Sequence, residues 1–235
     1  MANSIIVIIP TFNEAKNIEK LIFDLMSIDI GLDILVVDDN SLDGTQFIVQ
    51  SISEKYDQVN LIVRESKLGL GSAYREGYKF SDNNNYDYFV QMDADFSHQV
   101  DDLKRLLDVR KNYDLVIGSR YIQGGKTIGW SSKRKFLSKF ANLFVEFSTS
   151  LNIKDSTSGF RIYSQKALNK IDYSSTKSEG YGYQIEMCYL ASKASLNILE
   201  VPISFQERQE GTSKINKKII FEAFFLVLKL GFLKK

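Results

Sequence analysis

The chain has 235 residues, 44% hydrophobic and 25% charged, which suits one folded domain, or a domain with an appended element, and excludes a disordered chain. Its one cysteine, Cys188, excludes a disulfide framework and a cysteine-built zinc site, and its one histidine, His98, excludes His-rich metal centres. The net charge of +1 conceals an asymmetry: residues 1–118 hold 20 acidic and 11 basic side chains, whereas residues 119–235 hold 9 acidic and 19 basic, or −9 against +10. Such blocks are either scattered solvated charge or two unlike ligand surfaces, for example a metal site beside an anion or membrane site.

The apolar run Ile5–Ile9 lacks a basic flank and stops at Pro10, so it reads as a buried strand and not as a targeting segment. Short apolar strands are predicted again at Ile34–Val37, Leu61–Val63, Tyr88–Met92 and Leu115–Ile117. Between the first two, Ile18, Leu21, Ile22, Leu25 and Met26 recur at helical spacing, and further amphipathic stretches follow at Phe47–Ile52, Ala73–Tyr78 and Leu103–Val109. This alternation predicts an α/β fold, a mostly parallel sheet with helices on both faces, in which ligands bind beyond the carboxyl ends of the strands.

Those ends are rich in polar residues. Strand one runs into Pro10-Thr11-Phe12-Asn13-Glu14, and strand two into Asp38-Asp39-Asn40-Ser41, where Ser41 or Asp43 suits a helix cap. The third connection carries Lys67-Leu68-Gly69-Leu70-Gly71, either a phosphate cradle or a tight turn. Strand four ends in Asp93-Ala94-Asp95, two carboxylates that point the same way in an extended segment and so can face one hard cation, Mg²⁺ or Mn²⁺, with a diphosphate completing its shell. His98 suits a helix start or a supporting role behind those carboxylates. In the basic half, Arg120 follows strand five, and Arg134 and Ser138 share one helical face, a pattern of phosphate sites and also of solvated helix starts.

Taken together these segments resemble the family 2 glycosyltransferases of GT-A fold, and within them the dolichol-phosphate or polyprenol-phosphate mannose synthases. The resemblance rests on residues 10–14, 36–45, 67–73, 92–98 and 118–121, on Trp130, Arg134, Ser138 and Asn142, and on 155–161, 180–186 and 201–203 leading to Arg208, Gly211, Ser213 and Lys214. Two departures are Ser97, where some relatives carry Gln, and Gln99-Val100, where a proline is usual.

The resemblance implies transfer of a hexose, foremost mannose from GDP-mannose, to a polyprenyl or dolichyl monophosphate. It implies that Pro10, Phe12, Glu14, Asp38, Asp39 and Lys67 bind the nucleotide diphosphate, with Asp38 on base or ribose. Asp93 and Asp95, flanking Ala94, would hold the metal. Arg120, Arg134 and Ser138 would grip the acceptor phosphate, and Arg208 and Lys214 would close over the donor. A polyprenyl phosphate is already anionic near neutral pH, so such an enzyme needs positioning more than a base. Four alternatives stay open: a UDP-glucose donor, a hydroxyl acceptor with Asp101 or Asp102 as base, a nucleotidyltransferase, and a non-catalytic membrane-bound partner.

The organisation expected is a catalytic domain over 1–213 and an amphipathic helix over 214–235. Ile219, Ile220, Ala223, Phe224, Val227, Leu228 and Leu230 form an apolar face there, among Phe221, Phe225, Phe232 and several lysines. That face either packs on the domain or lies in a membrane surface; the expectation is a peripheral protein on the cytoplasmic side of a membrane, with the aromatic residues Phe136, Phe140, Phe144 and Phe147 as a second contact and a membrane subunit as a possible partner. No nucleic-acid partner is expected.

Overall fold

The computed structural model describes residues 4–82, 84–208 and 217–232. Its first half alternates as the pattern predicts: β1 (Ile5–Thr11), α1 (Ile18–Met26), β2 (Leu32–Asp38), α2 (Thr45–Ser53), β3 (Val59–Val63), α3 (Leu70–Asp82), β4 (Tyr88–Gln91), α4 (Val100–Val109) and β5 (Leu115–Ser119). Period-two side chains split between two cores. Ile6, Ile8, Leu35 and Val37 pack with Ala73, Tyr74 and Tyr78 of α3, whereas Ile5, Val7, Ile9, Ile34 and Val36 pack with apolar residues of α1, α2 and α4. Each fully buried Ile or Val contributes about 1.5–3 kcal/mol, which is why a run so uniformly apolar becomes a central strand.

The second half adds β6 (Lys126–Ile128), α5 (Ser132–Thr149), β7 (Arg161–Ser164), α6 (Gln165–Lys170), α7 (Gly180–Lys193), β8 (Ile198–Pro202), β9 (Ser204–Gln206) and α8 (Lys217–Phe232). The main sheet has the order β3-β2-β1-β4-β7-β5-β8, and β6 and β9 form a separate parallel pair. All neighbours in the main sheet are parallel except β7, which runs antiparallel to both β4 and β5. The sequence pattern did not reveal β7, because four residues starting with an arginine make no apolar run.

The direction of β7 matters for the site. The chain enters it from the carboxyl edge of β4 and β5, so the loop before this strand, not the one after it, joins the other strand ends. That loop is braced by Arg161, which is completely buried and meets no carboxylate among its hydrogen-bond partners. Its Nε donates to the Ser158 carbonyl at 2.8 Å, Nη2 to the Ser156 carbonyl at 2.8 Å, and Nη1 to the Gln184 carbonyl and the Tyr163 hydroxyl at 3.0 Å each. One guanidinium thereby ties the loop to α7.

At the other end of the chain, α8 packs on α5 and α7, with Val227 and Leu230 buried in the core below. It spans 16 residues, about 24 Å at the helical rise. No helix among the described residues is long and apolar enough to cross a membrane.

Arg161→Met preserves side-chain length but removes every donor. With an orphaned buried acceptor costing about 1–3 kcal/mol and several orphaned together, the variant should lose roughly 3 kcal/mol or more of unfolding free energy in urea. An unchanged denaturation midpoint would release Arg161 from the bracing role.

Candidate active site

The carboxyl ends of the strands open on one cavity of about 280 Å³. Pro10, Phe12 and Glu14 line it beyond β1, Asp39 beyond β2, Lys67 beyond β3, Asp93, Ala94 and Asp95 beyond β4, and Arg120 beyond β5, while Arg134 and Arg208 reach it from the second half. Of the remaining residues expected there, Asp38 and Ser138 do not line the cavity, and Lys214 lies outside the described residues, as do Gly211 and Ser213.

Asp38 is fully buried and already serves as an acceptor. Thr11 Oγ1 donates to it at 2.7 Å, Ser41 Oγ at 2.6 Å and the Ser41 backbone N–H at 2.8 Å. Its carboxylate joins the ends of β1 and β2, and Asp39 is the neighbour that lines the cavity. Asp39 forms an ion pair with the buried Arg64. Burial raises its pKa and the Arg64 guanidinium opposes the rise. The N-cap of α2 is Gly44, with φ of +97°, and neither Ser41 nor Asp43; Asp43 accepts from the Thr45 N–H at 3.1 Å and the Ala15 N–H at 3.0 Å, and Ser41 Oγ accepts from the Asn13 N–H at 2.8 Å.

The acidic pair is set by what surrounds it. The Asp93 backbone N–H donates to His98 Nδ1 at 3.1 Å, which leaves the proton of a neutral imidazole on Nε2, 3.9 Å from Asp93 Oδ2. The His98 ring stacks on Phe160 with centroids 4.6 Å apart, and burial lowers its pKa. This is the supporting role expected of His98. Burial raises the pKa of Asp93, with His98 opposing. Burial also acts to raise that of Asp95, but the Arg208 guanidinium, with Nε 2.5 Å from Oδ2, and the Ser97 N–H, 3.1 Å from Oδ1, overcome it and hold the carboxyl below its usual range. Two hard oxygen donors one residue apart, one of them already against a guanidinium cation, suit Mg²⁺ or Mn²⁺ with substrate phosphates completing the shell. Among the described residues no third His, Cys, Asp or Glu joins them.

The glycine loop is not a free phosphate cradle. The Glu179 carboxylate takes the Gly71 N–H at 2.6 Å and the Ser72 N–H at 3.1 Å, at the opening turn of α3, and pairs with Arg75 Nη2 at 2.6 Å. A carboxylate from α7's leading edge thus occupies the anion position that the amino end of a helix favours. Gly69 has φ of +101°, and a Cβ there would come within 2.4 Å of Glu179 Oε2, so only glycine fits. Lys67 remains available to the cavity, with Nζ 4.1 Å from the centre of the Phe12 ring.

Arg120 and Arg134 differ in their commitments. Arg120 is buried and bidentate to Asp155, with Nε 2.7 Å from Oδ2 and Nη2 2.6 Å from Oδ1, and Nη2 also donates to Thr157 Oγ1 at 2.9 Å. Burial works against its charge and Asp155 more than restores it. This guanidinium is a structural floor beneath Trp130, whose ring centre lies 5.4 Å away. Arg134 lies 3.9 Å over the same indole and reaches Glu207 Oε1 at 3.0 Å. Its place is set by α5: Ser131 caps the helix by accepting the Arg134 N–H at 3.3 Å, and the buried Asn142 bonds Ser156, Thr157 and the Ser138 carbonyl.

The sequence did not single out Glu179, Phe205 or Glu207, and Gln184 entered only as part of the segment 180–186. Glu179, Gln184 and Phe205 line the cavity, and Glu207 borders it through Arg134. Glu179 carried one legible signal, an acid directly before the Gly180-Tyr-Gly helix start; the others sit in segments whose placement depends on β7 and β8.

The family model for glycosyl transferase family 2 matches residues 6–172. The chain is 41% identical to the polyprenol monophosphomannose synthase of Mycolicibacterium smegmatis, over 96% of this chain and 86% of that one. It is 38% identical to the undecaprenyl-phosphate mannosyltransferase of Micrococcus luteus, over 97% and 93% respectively. Among solved structures it is similar in fold to the glucosyl-3-phosphoglycerate synthase of Mycobacterium tuberculosis in complex with Mn²⁺, UDP-glucose and phosphoglyceric acid, with a TM-score of 0.67 over 97% of this chain and 80% of that one, at 17% identity.

Glu179→Ala should strip two N–H groups of α3 and Arg75 of their shared partner. A loss of about 1–3 kcal/mol in chemical denaturation is expected, and an unchanged stability would mean that solvent serves these donors as well as Glu179 does.

Proposed function

Because the chain belongs to glycosyl transferase family 2 and has its GT-A fold, we propose that it transfers a mannosyl residue from GDP-mannose to a polyprenyl monophosphate, with Mg²⁺ or Mn²⁺ held by Asp93 and Asp95. The relatives named for mannosyl transfer to such lipids support this reading. The observation that carries it is a meeting of unlike elements. One cavity brings the acidic pair together with Arg134, and Arg134 opens a helix whose outer face is aromatic.

In this reading Pro10, Phe12, Glu14 and Asp39 border the nucleotide, and Lys67 neutralises its diphosphate. Asp93 and Asp95 would hold the divalent cation, which when bound would supply positive charge against the leaving nucleoside diphosphate. Arg134 holds the acceptor phosphate in line, and Arg120 acts through Asp155 and Trp130 as a positioning residue. The hydroxyl-acceptor alternative needs a base. Asp101 is paired with Lys104, and Asp102 accepts from the Ser204 N–H at 2.7 Å and pairs with Arg105; neither lines the cavity. A phosphate acceptor needs no such group, since it ionises with a second pKa of about 6.

The lipid must be met at its own surface. Phe136, Leu137, Phe140, Leu143 and Phe147 are exposed along α5, Phe147 by 90%, and α8 adds exposed Phe221, Phe224, Phe225 and Phe232 beside it. Phe144 and Phe224 stack at 5.2 Å and join the two helices into one face. Lys133, Lys135 and Lys139 are exposed on α5. An apolar face rimmed by lysines suits peripheral attachment to an anionic leaflet, on the side where nucleotide sugars are made. In this reading α8 serves both purposes weighed from sequence, with Val227 and Leu230 in the core and Phe221, Phe225 and Phe232 outward, while 214–216 and 233–235 lie outside the described residues.

Pure protein incubated with GDP-mannose, Mn²⁺ and polyprenyl phosphate should yield a mannosyl phospholipid, and Asp95→Ala or EDTA should abolish the product while the folded state persists. Transfer from UDP-glucose alone, transfer to a hydroxyl acceptor alone, or undiminished turnover by Asp95→Ala would overturn the reading. In flotation with anionic liposomes at low salt, the full chain should bind and high salt should weaken it. Replacing Phe147 and Phe225 together by Ser should release the protein and leave soluble nucleotide binding intact; retained flotation of that variant would place the membrane contact elsewhere.

A further inference from the structure

Glu207 and Arg208 follow β9 as consecutive residues, and each neutralises a different part of the cavity. Arg208 lies on Asp95, whereas Glu207 Oε1 lies 3.0 Å from Arg134 Nη1. Their backbone is held firmly. Ser204 N–H donates to Asp102 at 2.7 Å, Gln206 N–H to the Ser97 carbonyl at 3.1 Å, and Glu207 N–H to the Ile128 carbonyl at 2.9 Å. The side chains are looser, with Glu207 47% and Arg134 33% exposed, so the ion pair can open by rotamer change without moving the strand.

We propose that Glu207 is a resident competitor for the acceptor phosphate: its carboxylate occupies the Arg134 guanidinium until a phosphate monoester displaces it, and it reclaims Arg134 after transfer. This rests on the polyprenyl phosphate reading given above. The charge arithmetic gives the exchange a direction. The acceptor monoester carries about −1.5 to −2 near neutral pH. The product is a phosphodiester with a single charge, so a carboxylate of charge −1 competes poorly with the acceptor and well with the product. Meanwhile Glu207 keeps Arg134 seated over Trp130 and spares the site a free guanidinium that other anions would fill. Glu207 therefore limits acceptor affinity and favours product release.

The test is a double-mutant cycle on the full-length protein, read by calorimetric binding of citronellyl phosphate, a short soluble polyprenyl phosphate analogue. Glu207→Gln should tighten binding by roughly two- to fivefold, the range of a part-exposed ion pair, and product inhibition of turnover should strengthen. In an Arg134→Ala background the same substitution should change the affinity by less than about 1.5-fold, because the competitor then has nothing to occupy. Weaker or unchanged binding by Glu207→Gln would make Glu207 a mere brace for Arg134 and overturn the proposal. Equal tightening in both backgrounds would reveal long-range repulsion and overturn it too. Wild-type protein that makes no mannosyl phospholipid in the turnover assay would instead defeat the underlying reading, a result the binding cycle does not depend on.

Discussion

Carboxylates gathered at the carboxyl edge of a buried sheet call for cations or hydrogen-bond donors close by, since a lone buried charge is costly to keep. The cavity answers with guanidinium groups: Arg64 on Asp39, Arg75 on Glu179, Arg120 on Asp155, Arg134 on Glu207 and Arg208 on Asp95. These pairs differ in exposure, and their exposure sorts them by role. Arg120 and Asp155 are sealed from water and act as framework, while Arg134, Glu207 and Arg208 keep part of their surface open, as the proposed exchange with charged substrates requires.

The same constraint explains why the two charge blocks of the chain do not map onto two separate surfaces. Asp95 comes from the acidic half and Arg208 from the basic half, whereas Glu179 of the basic half is paired with Arg75 of the acidic half. The halves interlock in the cavity, and the blocks describe the charge a substrate meets only after these internal pairs are counted. What a ligand meets is modest: Lys67 near Phe12, Asp93, and two groups that already hold a partner, Asp95 on Arg208 and Arg134 on Glu207.

The proposed attachment to a lipid surface rests on continuity. Asn142 is buried in α5 and bonds the loop before β7, so the helix that carries outward phenylalanines is locked to the loop that carries Asp155 and Thr157. In the proposed function a phosphate held by Arg134 has a fixed relation to the aromatic face, and the isoprenoid chain has a short path from one to the other.

Much of this was legible in the chain alone. The β-branched runs of β1 and β2 are apolar on both faces, the helix between them keeps a 3.6 period, and Asp93-Ala94-Asp95 follows directly on a buried strand; local pattern suffices there because burial and period are local properties. Two things were decided only by tertiary structure. Asp38 and Asp39 are adjacent and chemically identical, and which one faces the cavity depends on Thr11, at the end of the neighbouring strand β1, together with Ser41 in the same loop. Likewise Glu179, 108 positions beyond Gly71, closes the loop that looked like a phosphate cradle. Partners so distant in sequence meet only because β7 runs backward through the sheet, and no window of the chain records that direction: strand polarity is settled by how the whole sheet shares its hydrogen bonds, not by the residues of one strand.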